Sequence, residues 1–187
     1  SQTIAIHRPT LKKFQKKAHG VLAQIRRSTV LRDRGTIMTL YKSFIRPLLE
    51  TAAPAWNPHK RGDIEALEKV QRRSLRLICD IGKMPYEERL KELGLQSLED
   101  RRERGDQIEC FKYLNGHNDV NPDRLFSFVR DRHDKFTRSY ADNNLVCEKT
   151  SLNIRKFFFT NRVTGAWNSL PREVREATSV NMFKNRY

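Results

Sequence analysis

An all-α fold is predicted for this chain, a helical bundle over residues 10–80 followed by a helical extension over 81–187 with a less regular segment around 117–150. Three observations predict it. Apolar residues recur at three- and four-residue spacing in successive segments. Helix-starting and helix-ending residues punctuate those segments. A length of 187 residues with 37% hydrophobic content, 8 Gly and 7 Pro suits a chain that builds a core, not a low-complexity one. Area scaling has such a chain bury about 70% of its unfolded surface.

From Leu11 to Arg27, the residues Leu11, Phe14, Ala18, Val21, Leu22 and Ile25 share one arc at about 100° per residue. Lys12, Lys13, Lys16, Lys17 and Arg27 occupy the opposite arc. Pro9 and Thr10 suit the start of this helix, with Thr10 as its N-cap. Gly20 costs about 1 kcal/mol in its interior and points to close approach of another backbone. A second helix is expected from Thr36 to about Ala53, burying Ile37, Leu40, Tyr41, Phe44, Ile45, Leu48 and Leu49, with Pro47 kinking or splitting it. Pro54, Pro58 and Gly62 mark the turn region that follows. Trp56 and Trp167 read as locks between helix ends and the core.

Asp63 is expected to cap a third helix running to about Cys79, with Ile64, Leu67, Val70, Leu75 and Ile78 inward. Lys69, Arg72, Arg73 and Arg76 form a cationic stripe along it. Pro85 fits the first turn of a short helix that Gly94 ends; Ser97-Leu98-Glu99-Asp100 resembles a capping box opening a longer helix that Gly116 closes. A short helix near Pro122 to Val129 is expected within the irregular segment, with extended pieces after it. Thr150 to Ser169 reads as a helix, Pro171 leads a turn, and a last helix starts near Ser179.

Charge is the strongest functional signal. Lys and Arg number 37 against 22 Asp and Glu, and residues 1–58 hold 11 basic and 2 acidic side chains. Such an excess points to a polyanionic partner, most often nucleic acid, because each neutralised phosphate releases condensed counterions. Lys12, Lys13, Lys16 and Lys17 with Lys69, Arg72, Arg73 and Arg76 are the candidate phosphate contacts; the plain alternative is a solvated helix surface. Arg155, Lys156 and Arg162, among Phe157, Phe158, Phe159 and Trp167, form a second candidate set in which rings could stack on unpaired bases.

Other chemistries lack their parts. His7, His19, His59, His117 and His133 include no helical i,i+4 pair, and Cys79, Cys110 and Cys147 form no C-x-x-C, so neither a metal site nor a disulfide framework is expected. No phosphate-binding glycine loop, dinucleotide fingerprint or G-x-S-x-G element is present, so no catalytic residue is assigned. In Tyr140-Ala141-Asp142-Asn143 an amide stands where a two-metal polymerase needs a second carboxylate. With no apolar run of roughly 18 residues and no signal-peptide pattern, a soluble intracellular chain, nuclear or cytoplasmic and without a membrane partner, is expected. Ser at position 1 fits a piece excised from a longer protein.

Read in order, LYKSFIRPLLE (40–50), AWNPHKRGDIEALEKVQRRSLRLI (55–78), YEERLKELGLQSLEDRRERGDQIECFKYLNG (86–116) and FFFTNRVTGAWNSLP (157–171) resemble the C-terminal part of a non-LTR retrotransposon (LINE-type) reverse transcriptase. The resemblance implies an α-helical thumb over residues 10–80 with a post-thumb extension. It also implies a non-catalytic module of an RNA-directed DNA polymerase that grips template RNA and primer DNA, with the rest of the polyprotein as its partner. Catalytic aspartates and Mg²⁺ would belong to a palm upstream, leaving this chain no cofactor and no enzyme activity of its own. A stand-alone, retrotransposon-derived protein-interaction or assembly module is the alternative expectation; the oligomeric state stays open.

Overall fold

The structure, a computed structural model, describes residues 2–51, 57–129, 144–147 and 158–187. It is all-α, as predicted. Contacts divide the chain into two compact units, Ser1–Arg102 and Glu103–Tyr187. The core of the first continues past residue 80, through Ile81 and Tyr86 to Leu98.

In the first unit, α1 (Gln2–Ser28) buries Leu11, Ala18, Leu22 and Ile25, the arc that periodicity predicts. It starts before Pro9, which lies inside the helix and not at its first turn. A single proline removes one backbone donor, and here helix continues on both sides of it. Gly20 is exposed, and a Cβ placed there meets nothing within 4 Å, so the expected close approach is absent.

Asp33 caps the next helix, its Oδ1 accepting from the Thr36 N–H at 3.0 Å. The chain then runs through α2 (Arg34–Leu40), a π-helical turn (Tyr41–Ile45) and α3 (Arg46–Glu50). The buried residues Ile37, Tyr41, Ile45 and Leu49 are four apart, each 2% exposed or less. In a regular α-helix a four-residue period drifts by about 40° per step, so the stripe would leave the core within three steps. The π turn underwinds the backbone and returns the stripe inward. Phe44, expected inside, is rotated out and is 57% exposed. The same turn seats Pro47: the Arg46 N–H reaches back to the Tyr41 carbonyl, and the widened ring makes room where proline would crowd a carbonyl. The helical run thus continues without a break through Pro47 to Glu50. Trp56 lies outside the described residues.

α4 (Arg61–Leu75) begins after Lys60, so Asp63 lies in its first turn and is not the N-cap. Its inner face buries Leu67, Val70 and Leu75, with Ile78 beyond its end. α5 (Tyr86–Glu92) follows Pro85 and ends at Gly94, where φ is +60°, a conformation that suits glycine at a helix C-terminus. α6 (Leu98–Leu114) is capped by Ser97, whose Oγ accepts from the Asp100 N–H at 3.0 Å, and closed by Gly116 at φ +67°.

A polar cluster sits within the first core. Tyr41 donates its hydroxyl proton to Gln71 Oε1, and Tyr86 donates to Glu68 Oε1. Gln71 Nε2 donates to the Tyr86 hydroxyl at 2.8 Å and to the Gln96 carbonyl at 3.1 Å. Glu68 Oε2 accepts from the Leu98 N–H at 3.0 Å, tying α4 to the start of α6. Burial raises the Glu68 carboxyl; burial and the neighbouring Glu68 raise the Tyr86 phenol.

In the second unit, α7 (Phe159–Ser169), α8 (Arg172–Arg175) and α9 (Val180–Arg186) pack Val163, Trp167, Val174 and Phe183 against Phe111 of α6. The Phe111 and Phe183 rings stack at 4.5 Å. The expected helix at Pro122 is one 3₁₀ turn, Pro122–Arg124, and among the described residues the extended contact after it is a single antiparallel bridge, Phe128 to Leu145. The Asn168 amide accepts from the Leu145 N–H at 2.9 Å and donates to its carbonyl at 2.8 Å, binding that segment to α7 as a neighbouring strand would. Ser179 caps α9, its Oγ accepting from the Met182 N–H at 3.1 Å.

Candidate nucleic-acid interface

α1 and α4 lie side by side and run in the same direction. Near one end Gln15 Nε2 donates to the Ala66 carbonyl at 3.3 Å; past the other, the Cys79 N–H donates to the Arg32 carbonyl at 3.1 Å. One turn along from Gln15 is His19, half-buried, with Arg73 and Lys69 of α4 close enough to act on it electrostatically. Burial, with the fields of those two cations added, holds its imidazole below the ordinary value. The seam is electropositive.

Helical spacing sorts the predicted lysines. At about 100° per residue, Lys12, Lys16 and Arg26 lie within about 100° of Gln15 and so border the seam, whereas Lys13 and Lys17 lie at least about 160° away. All four lysines are exposed. The same spacing puts Lys69 and Arg73 on the outer arc of α4, with Arg76 just past its end, and all three are exposed.

Arg72 differs. Its Nη1 pairs with Glu65 Oε1 at 2.8 Å, its guanidinium lies 4.7 Å from the Tyr86 ring centre, and the bond to Glu65 raises its pKa. It belongs to the edge of α4 that faces α5. α1 carries no acid over its 27 residues; of the three acids on α4, Glu65 is held by Arg72 and Glu68 is buried.

Arg162 also departs from the expectation. Its Nε and Nη2 reach Asp106 Oδ2 and Oδ1 at 2.7 and 2.9 Å, with Asp106 5% and Arg162 16% exposed. A bidentate, nearly buried pair of this kind is a packing element, because freeing the guanidinium for a phosphate would strand a carboxylate. Arg155 and Lys156, like Asp142 and Asn143, lie outside the described residues. Phe159 and Trp167 pack in the second core.

Sequence reasoning missed His19 and Arg26 as seam residues; the signal available was their four- and eleven-residue offset from Gln15. Among the described residues no three or more His, Cys, Asp or Glu side chains converge as metal ligands would, and no helix is long and apolar enough to cross a membrane. In comparisons with known proteins, the chain matches no family model, no curated protein and no solved structure.

Proposed function

We propose that this chain binds a nucleic-acid duplex or RNA–DNA hybrid, with little regard to sequence, through the α1/α4 seam. In this reading it is the non-catalytic gripping part of a retrotransposon reverse transcriptase. The observation that carries it is the meeting of His19, Lys69 and Arg73 at one seam, along which helical spacing sets Lys12 and Lys16, with Glu65 of α4 paired and Glu68 buried. Phosphate contacts fix position and supply affinity, whereas reading sequence needs side chains at base edges. Template RNA and primer DNA are the ligands the resemblance suggests, and the palm with its Mg²⁺ would belong to another part of the parent protein.

Two double variants of equal charge test this reading. Lys12→Glu/Lys16→Glu should weaken binding of RNA–DNA hybrid and duplex DNA and flatten the slope of log affinity against log salt by about 0.7–0.9 per lost contact. Lys13→Glu/Lys17→Glu, on the far side of α1, should do markedly less. Titrations by fluorescence anisotropy, with heparin as nonspecific polyanion, separate the outcomes. Equal losses in the two variants, or no preference over heparin, would leave only general charge attraction. Primer extension with template and Mg²⁺ should give no product from this chain alone.

A further inference from the structure

Resting on the reading of the seam just given, we infer that His19 is a further phosphate-binding residue, neutral while the seam is empty and protonated when a phosphodiester backbone docks there. Its position comes from the packing. Gln15, one turn earlier, is bonded to the backbone of α4, which sets α1 in register with Ala66 and brings His19 level with Lys69 and Arg73. His19 is half-buried, so solvent still reaches it beside Lys69 and Arg73.

The π turn and α3 also pack against α1, whose inward arc is Leu11, Ala18 and Leu22; the charges whose fields reach His19 are Arg73 and Lys69 of α4. On α1 itself, spacing puts Lys12, Lys16 and Arg26 along the same edge. In the empty seam partial burial opposes another positive charge on His19, and the fields of Arg73 and Lys69 oppose it further. A docked phosphate reverses the balance. It neutralises the lysine and arginine field and offers its own oxygen to an imidazolium N–H, a charge-assisted bond. The proton comes from solvent, one per seam occupied. By linkage, a ligand that favours protonation binds more tightly as protons become available.

Affinity for a hybrid should therefore rise as pH falls from about 7.5 to about 5.5, where imidazoles titrate, by at most about tenfold per pH unit for one proton. The test uses the full chain, a labelled RNA–DNA hybrid, fixed ionic strength, and wild type beside His19→Gln. His7, His59, His117 and His133 are common to both proteins, so their share of the pH dependence cancels. The expected result is a pH-driven rise at least about threefold larger in wild type than in the variant. A proton-NMR titration of the His19 ring should show its midpoint moving up when hybrid is added.

Tight binding with the same pH dependence in both proteins overturns the role of His19 and leaves the seam reading standing. No binding by the wild type, or binding indifferent to Lys69→Glu/Arg73→Glu, overturns both. Should His19→Gln fail to fold, the wild-type midpoint decides alone: an upward move supports the inference, and an unmoved midpoint overturns it.

Discussion

Glu68 and Gly20 show how much single residues carry here, and in opposite senses. Burial raises the Glu68 carboxyl above the ordinary value of 4.5, so between the unfolded and folded values the folded chain holds more protons. Its contribution to stability is thus full below about pH 4.5 and is lost as pH rises through the folded value. Urea unfolding of wild type and Glu68→Gln from pH 4.5 upward should show the difference, wild type minus variant, falling with pH; a flat or rising difference contradicts the account. Gly20 points into open space from the middle of a helix, so Gly20→Ala should raise stability by about 0.5–1 kcal/mol. Gly82→Ala should do the reverse, because its Cβ would come within 2.9 Å of the Arg76 and Ile78 carbonyl oxygens. Thermal unfolding of the two variants checks the signs. Neither environment was legible in the sequence, where a glycine with one polar and one apolar neighbour looks the same whether it faces solvent or backbone.

At the scale of elements, spacing and punctuation located most helices. Ser97, Ser179, Gly94 and Gly116 stand where start and stop residues are needed, because caps act locally and leave a local trace. The π turn left a subtler trace, the strict four-residue period of Ile37, Tyr41, Ile45 and Leu49, which reads as an ordinary helix until Pro47 is considered. This links the turn to the proline. Pro47→Ala alone should change stability little, whereas deleting Ser43 restores regular winding, sets the proline ring against a carbonyl and should cost about 3 kcal/mol. The double change should recover most of that loss. A deletion equally costly in both backgrounds would show that the turn serves something other than the proline. The α1/α4 seam was half legible: its charge is in the sequence, but which lysines border α4 depends on a tertiary pairing. The capture of Arg162 by Asp106, 56 residues away, was likewise out of reach of local spacing.

Over the whole molecule, the two buried clusters share no residue, one spanning Leu11 to Leu98 and the other Ile108 to Phe183. A fragment ending after Leu114, with α6 intact, should therefore unfold in its own cooperative transition and keep most of the affinity for a hybrid; calorimetry and anisotropy on the fragment check both. Loss of either would show that the second unit supports the seam. The segmental charge, concentrated before residue 59, was plain from composition, whereas the division near residue 102 was not, because α6 crosses it without interruption. The shared direction of α1 and α4 has an electrical consequence. Their peptide dipoles add, so both electron-rich carbonyl ends gather at one end of the seam and would repel a polyanion there. Arg26 and Arg27 on α1 and Arg72 and Arg73 on α4 stand in those last turns. Part of their charge offsets the dipoles, so a strand of phosphates docked along the proposed seam would draw its surplus attraction from the mid-helix lysines.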